Sequence, residues 1–180
     1  MLKRFLYILP IVSTLWACTL TSEKDKDLFD VWQIPFEPVE VVQLLSGQYG
    51  EKDFVFQIAL SMNEKRLSLI GIDGLGRRAF SIKWHGHKVV TQKASWLPDG
   101  LKAEYILHDL MLAYWPIDAL NHPSEVIIEG PFKRVVTKGT NTVATVTKMD
   151  DHGRWNGRTV IENHARGYRI EVQSREIKGG

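Results

Sequence analysis

Four stretches of this sequence, and its scattered aromatic residues, carry residue types able to do chemistry, and their spacing limits what each can do. Cys18 is the only cysteine among 180 residues. A lone thiol forms no internal disulfide, but its sulfur can hold a lipid through a stable thioether. His85-Gly86-His87 offers two imidazoles in a turn, where a closed zinc site needs four ligands. His108-Asp109 could form the acid–base part of a triad, yet no Ser or Cys motif lies nearby to serve as nucleophile. Gly71-Ile72-Asp73-Gly74-Leu75-Gly76 has glycines spaced as in a phosphate loop. A strand pattern, Arg78 to Trp84, follows it instead of the helix such a loop requires, so a tight turn is the better reading. Six tryptophans and seven phenylalanines raise stacking on bases or sugars. Trp84 and Trp115 sit at strand and helix positions suited to packing, while Trp32, Trp96 and Trp155 fall near loops. Core or edge packing is expected for each. No catalytic residue, metal site or cofactor is assigned from these stretches.

The surroundings of Cys18 give its chemistry a direction. The chain opens Met-Leu-Lys-Arg, runs through the apolar stretch Phe5 to Val12, and reaches Leu15-Trp16-Ala17-Cys18. A basic start, a short apolar run and a small residue before a cut site make a secretory signal. The run is too short to span a membrane, which takes roughly 20 apolar residues, and Pro10 interrupts it. Leu15-Trp16-Ala17-Cys18 resembles the bacterial lipobox. That resemblance implies cleavage before Cys18, diacylation of its sulfur and acylation of its new amino group, with palmitate as a typical chain. Several chains on one residue hold a protein at a membrane, where one chain binds only marginally. Thr19, rather than Asp, follows the cysteine, which resembles the outer-membrane class of lipoproteins. A soluble secreted protein with an incidental cysteine in its signal is the alternative.

Removing residues 1–17 leaves 163 residues, enough for one domain with a sizeable core. It also removes Lys3 and Arg4, so 21 Lys and Arg remain against 21 Asp and Glu. That balance, without a basic cluster, argues against a nucleic-acid partner. The polar segment 18–30 reads as a lipidated tether, and residues 31–180 as a single domain.

Those residues must be positioned mainly by strands. Val39 to Gln48 is a candidate first strand. Phe54, Phe56, Ile58, Leu60 and Met62 alternate with Val55, Gln57, Ala59 and Ser61, the period of a half-buried strand. Arg66 to Ile72, Arg78 to Trp84 and Val89 to Lys93 continue a meander of five strands, joined by "NEK", "DGLG" and "HGHK". The period then changes. Leu101 to Trp115 reads as a helix, opened by Asp99 as cap and stopped by Pro116. Its main apolar face holds Ala103, Ile106, Leu107, Leu110, Met111 and Tyr114. Leu101, Tyr105, Leu112 and Trp115 fall on the other side, among Lys102, Glu104, His108 and Asp109, so contact on more than one face is expected. A short helical piece, Ile117 to Asn121, follows. Strands resume at Val126 to Gly130, Phe132 to Lys138, Thr142 to Met149, Arg158 to Glu162 and Tyr168 to Ser174.

About ten antiparallel strands curl to hide their edges. The expected fold is therefore mainly β with an inserted helix: a half-open antiparallel barrel covered by one or two helices. A helix across the concave side would enclose an apolar cavity suited to a hydrophobic ligand. Alternation and helix projection nominate Phe54, Phe56, Ile58, Leu60, Phe80, Ile82, Ile106, Leu107, Leu110, Met111 and Tyr114 as its lining.

The stretches Glu40 to Trp84 and Leu97 to Pro116 resemble an uncharacterised family of Gram-negative outer-membrane lipoproteins. The carrying features are a Gln-containing first strand, a Gly-x-Arg hairpin, and a helix end with Asp109, Leu110, Leu112, Ala113, Trp115 and Pro116. Met111 stands where that family often has Gln. Members occur in some aryl polyene biosynthesis clusters, and the family is similar to the lipoprotein receptor LolB. The resemblance covers residues 39–138 best. It implies a LolA/LolB-like half-barrel with a cavity for acyl chains, and it brings no established activity. LolB delivers to the membrane with an exposed apolar loop tip; the loops here read as polar and show no counterpart. The leading expectation is an outer-membrane lipoprotein that binds or shuttles a lipid-like molecule: an acyl chain, a lipoprotein or an aryl-polyene lipid. A structural or assembly partner of an envelope protein is the second, and an enzyme acting on acyl chains or glycans the third.

Overall fold

The computed structural model describes residues 34–85, 88–98, 100–120 and 126–177. Cys18, the tether, Trp32, Gly86, His87, Asp99 and Asn121 lie outside the described residues.

Ten strands form one antiparallel sheet: β1 (Val39–Tyr49), β2 (Lys52–Asn63), β3 (Arg66–Ile72), β4 (Arg78–His85), β5 (Lys88–Lys93), β6 (Val126–Glu129), β7 (Lys133–Lys138), β8 (Asn141–Lys148), β9 (Gly157–Asn163) and β10 (Tyr168–Ile177). Their order is β5-β4-β3-β2-β1-β10-β9-β8-β7-β6. Neighbouring strands are consecutive in the chain throughout, except where β1 pairs with β10 and joins the two halves. The sheet ends at β5 and β6 without closing. The expected half-open, mainly β architecture with a covering helix is what the chain forms.

Side-chain alternation explains the inward face. On β2, Phe56, Ile58, Leu60 and Met62 are buried, while Val55, Gln57, Ala59 and Ser61 are exposed. Successive strand residues point to opposite faces, so one apolar set commits the whole strand to one register. The turns use local chemistry. Asn63 Oδ1 accepts from the Lys65 and Arg66 N–H groups, 3.0 Å each. Asp73 Oδ1 accepts from Leu75 N–H at 3.0 Å and Arg77 N–H at 2.8 Å, and Gly76 closes that turn at φ 77°. The glycine spacing noted from sequence thus builds a hairpin. Gly71 belongs to β3, and a Cβ there would fall on the Phe80 ring.

Among the described residues, one α-helix, α1 (Ala103–Tyr114), interrupts the strands. It begins at Ala103 with Lys102 in the cap position and no side-chain cap, so the expected start from Asp99 is not the observed one. It ends where Trp115 turns extended, with Trp115 N–H on Met111 O at 2.9 Å, because Pro116 cannot continue the helical bonding. A 3₁₀ turn, Ile117–Ala119, follows. Every residue of α1 from Ile106 to Tyr114 is buried, including His108 and Asp109 at 5% and 2% exposure. Projection had grouped those two with the solvent-side Lys102 and Glu104. The curl of the sheet explains the difference: α1 lies nearest β4 and β5 on one side and β9 on the other, strands that four others separate in sheet order. A sheet that reaches both sides of a helix leaves it no solvated face.

The two ends of α1 are held differently. At the C-terminal end, Arg134 Nη1 donates to Leu112 O at 2.8 Å and Trp115 O at 2.6 Å, and Arg154 Nη1 donates to Tyr114 O at 2.5 Å. Cations there satisfy orphan carbonyls and oppose the helix dipole. The N-terminal turn is held by side chains: Thr91 Oγ1 donates to Glu104 at 2.6 Å, and the Arg166 guanidinium lies 4.1 Å from the Tyr105 ring centre.

Candidate ligand-binding site

Two small cavities lie between α1 and the concave sheet. The first is lined by Gln43 and Leu45 of β1, Ile58 of β2, Leu69 of β3, Ile106, Asp109, Leu110 and Tyr114 of α1, Ile161 of β9, and Ile170 and Val172 of β10. The second lies toward the start of α1, lined by Leu45, Tyr49, Phe54, Phe56, Leu101, Tyr105, Ile106, Asp109, Tyr168 and Ile170. They share Leu45, Ile106, Asp109 and Ile170. Each has a volume of about 20 Å³, room for about one water molecule.

Of the eleven residues nominated from sequence, ten are buried and Phe54 is half-buried. Phe54, Phe56, Ile58, Ile106, Leu110 and Tyr114 line one cavity or both. Leu60, Phe80, Ile82, Leu107 and Met111 line neither and belong to the packed core. The interior beneath the helix is filled by side chains, with the remaining space concentrated around Asp109.

Of the polar side chains at this site, Tyr114 is among the nominated lining and Asp109 is noted beside His108, while Gln43, Asn163, Tyr168 and Ser174 are not singled out from sequence. The Tyr168 hydroxyl donates to Asp109 Oδ2 at 2.6 Å and accepts from Asn163 Nδ2 at 3.2 Å. Asp109 Oδ1 is buried without a hydrogen bond; His108 Nδ1 stands 3.8 Å away, beyond hydrogen-bonding distance. A second group spans the other cavity wall. Gln43 Nε2 donates to Ser174 Oγ at 2.9 Å, and Ser174 Oγ also bonds the Tyr114 hydroxyl at 2.7 Å. Burial raises the pKa of the Tyr168 phenol, and the neighbouring Asp109 carboxylate raises it further. Burial likewise raises that of Tyr114, against the lowering effect of its hydrogen bond to Ser174. Both phenols therefore stay neutral donors at ordinary pH. The signal for these residues was present in the strands. Gln43 falls between Val41 and Leu45, and Ser174 follows Ile170 and Val172, all at inward positions. A polar residue at an inward position must find a partner.

Trp84, Trp115 and Trp155 resolve as core packing. Trp155 is buried, stacked on Tyr114 with ring centres 4.7 Å apart and edge-on to Phe36 at 5.2 Å. Trp115 is fully buried and meets Phe36 edge-on at 4.9 Å. Trp96 is partly exposed beneath the Arg77 guanidinium. His85 ends β4. The β3–β4 turn, read as polar, carries Leu75 at 79% exposure. No helix among the described residues is long and apolar enough to cross a membrane.

A solved structure described as an outer membrane lipoprotein-sorting protein domain from Vibrio parahaemolyticus is similar to this chain, with a TM-score of 0.44 and 11% identity, covering 80% of this chain and 87% of that one. No curated protein matches the chain. Residues 40–176, from the first strand through nearly all of the last, match the family described as Protein of unknown function (DUF3261), and the chain belongs to that family.

Proposed function

We propose that this protein is a lipid-anchored envelope carrier that takes a hydrophobic, acyl-chain-like molecule between α1 and the concave sheet. The observation that carries this reading is the placement of the two cavities. They sit side by side over the central strands, with mostly apolar walls and one buried carboxylate, Asp109. Ligand sites of this type combine apolar lining with a few fixed polar groups. They typically measure about 300–1,000 Å³, so binding requires α1 to part from the sheet floor. The unequal attachment of α1 supports that motion: its C-terminal end is pinned by two arginines on backbone carbonyls, and its N-terminal turn rests on side-chain contacts. The cavity lined by Leu101 and Tyr105 lies under that N-terminal turn.

In this reading Cys18 is the acylated residue, the tether reaches from the outer membrane into the periplasm, and the protein acts without catalysis. Its ligand is an acyl chain, a lipoprotein or an aryl-polyene lipid. The test uses residues 19–180, secreted without the anchor and purified without detergent. Mass spectrometry of the extracted protein is expected to find a stoichiometric hydrophobic ligand. Ile106→Trp, which fills the space common to both cavities, is expected to abolish it while the protein stays folded by circular dichroism. An empty wild-type protein, or ligand retained by Ile106→Trp, would overturn the proposal.

The filled interior, with Leu112 and Trp115 completely buried, favours a second reading as an assembly partner of an envelope complex. Crosslinking in intact cells would then trap a stoichiometric protein partner, and Ile106→Trp would leave function intact.

A further inference from the structure

Asp109 lines both cavities beneath α1 and is the only charged residue that lines either. It is 2% exposed. A relay holds one of its oxygens. The Arg166 N–H donates to Asn163 Oδ1 at 3.0 Å, Asn163 Nδ2 donates to the Tyr168 hydroxyl at 3.2 Å, and that hydroxyl donates to Asp109 Oδ2 at 2.6 Å. Oδ1 has no hydrogen bond among the described residues, and His108 Nδ1 stands 3.8 Å from it. No other residue lining the two cavities leaves a buried side-chain polar atom in that condition. Gln43 and Tyr114 both meet Ser174 Oγ.

A carboxylate can accept about four hydrogen bonds, and burying it short of them costs free energy. A ligand that enters between α1 and the sheet can supply the missing donor. Charge limits which polar heads fit there. A carboxylate or phosphate head would face Asp109 with like charge, and neither lining holds a Lys, Arg or His to pair with it. Arg166, 4.1 Å from the Tyr105 ring centre, lies outside both linings. An ammonium head would be attracted, but it adds a second charge that must lose its water in a mostly apolar space. A hydroxyl or amide N–H gives a charge-assisted hydrogen bond without that cost.

Building on the carrier reading above, we propose that the molecule taken beneath α1 is a lipid with an uncharged head, whose hydroxyl or amide N–H donates to Asp109 Oδ1. Its apolar chain lies against Leu45, Ile106 and Ile170, which both cavities share. Tyr168 keeps Oδ2 occupied and fixes the carboxylate, so the ligand's donor meets Oδ1. The site thereby selects donor-bearing neutral lipids over free fatty acids.

The test uses residues 19–180, which contain every described element and the core they share. The protein is delipidated and studied by equilibrium dialysis in neutral buffer with probes of one chain length. Decanol and N-methyldecanamide carry a donor. Decyl methyl ether and N,N-dimethyldecanamide are their capped counterparts, and decanoate and decylammonium carry charge. At least one donor probe is expected to bind about tenfold more tightly than its capped counterpart, the usual worth of a hydrogen bond to a charged group. The pair that discriminates more identifies the donor as hydroxyl or amide. Asp109→Leu, checked for fold by circular dichroism, is expected to bind both members of each pair alike; the wild-type series is decisive even where that variant fails to fold. Capped probes binding as tightly as their donors, decanoate or decylammonium binding as tightly as decanol, or a preference kept in Asp109→Leu would overturn the assignment of the head and leave the carrier reading standing. No binding of any probe would overturn both.

Discussion

Asp109 is a carboxylate buried between α1 and the concave sheet. Its side chain is buried, one oxygen is bonded by Tyr168 and the other has no hydrogen bond. Removing the one donor strands a buried carboxylate, and that penalty exceeds the net worth of the hydrogen bond. Tyr168→Phe is expected to cost about 1–3 kcal/mol in urea denaturation. Replacing both partners, as in Tyr168→Phe with Asp109→Leu, is expected to restore most of the loss; a double variant no more stable than Tyr168→Phe would contradict this. The same phenol sets the alkaline limit. The folded-state pKa values of Tyr114 and Tyr168 lie above the ordinary 10.0. Below that pH both states are protonated and the stability is intact. Above it the unfolded chain releases protons that the folded state keeps. Stability therefore falls as pH rises past 10, by up to about 1.4 kcal/mol per pH unit for each phenol. Urea midpoints across this range should fall less steeply in Tyr168→Phe than in the wild-type protein.

At the scale of elements, β3 and α1 show how position decides what a residue does. Gly71 is inward-facing on β3, where the Phe80 ring of β4 occupies the place of a side chain. Glycine within a strand weakens it and marks such close approaches. Phe80 is 1% exposed and has little room to retreat. Gly71→Ala is thus expected to destabilise the fold by about 1–3 kcal/mol, and a further Phe80→Leu should recover part of it. Thermal denaturation of the two variants checks this; an unchanged Gly71→Ala would contradict the packing described. On α1, the pattern of Leu, Met and Trp on more than one side leads to the expectation of contact on more than one face. It could not place His108 and Asp109, because a helical projection counts chemical types and carries no information about how far a sheet curls.

At the scale of the whole molecule, the proposed reading joins an anchor to the domain: acylation of Cys18, which the resemblance to a lipobox implies, would place the domain at a membrane. Metabolic labelling with palmitate is expected to mark the protein, and Cys18→Ser is expected to lose the label and release the protein from the membrane fraction. Label retained in Cys18→Ser would overturn the assignment of the anchor. The open sheet, with β5 and β6 as its edges, wraps one buried helix and leaves its spare volume where α1 crosses the central strands.

The period-two alternation of β2 and the change of period at Leu101 were enough to read five strands, a helix and five more strands. These features depend on neighbours a few residues apart, which sequence displays directly. The resemblance to a lipobox is legible for the same reason, since it lies in a contiguous segment. What only the tertiary structure decided is which inward residues touch. The pairing of β1 with β10 sets Gln43 against Ser174, 131 residues apart. The curl of the sheet brings Tyr168 to Asp109, 59 residues apart. The volume left beneath α1 likewise follows from side chains of six separate elements meeting at once. Local periodicity fixes the face each side chain takes, and close packing of distant segments fixes how much space remains.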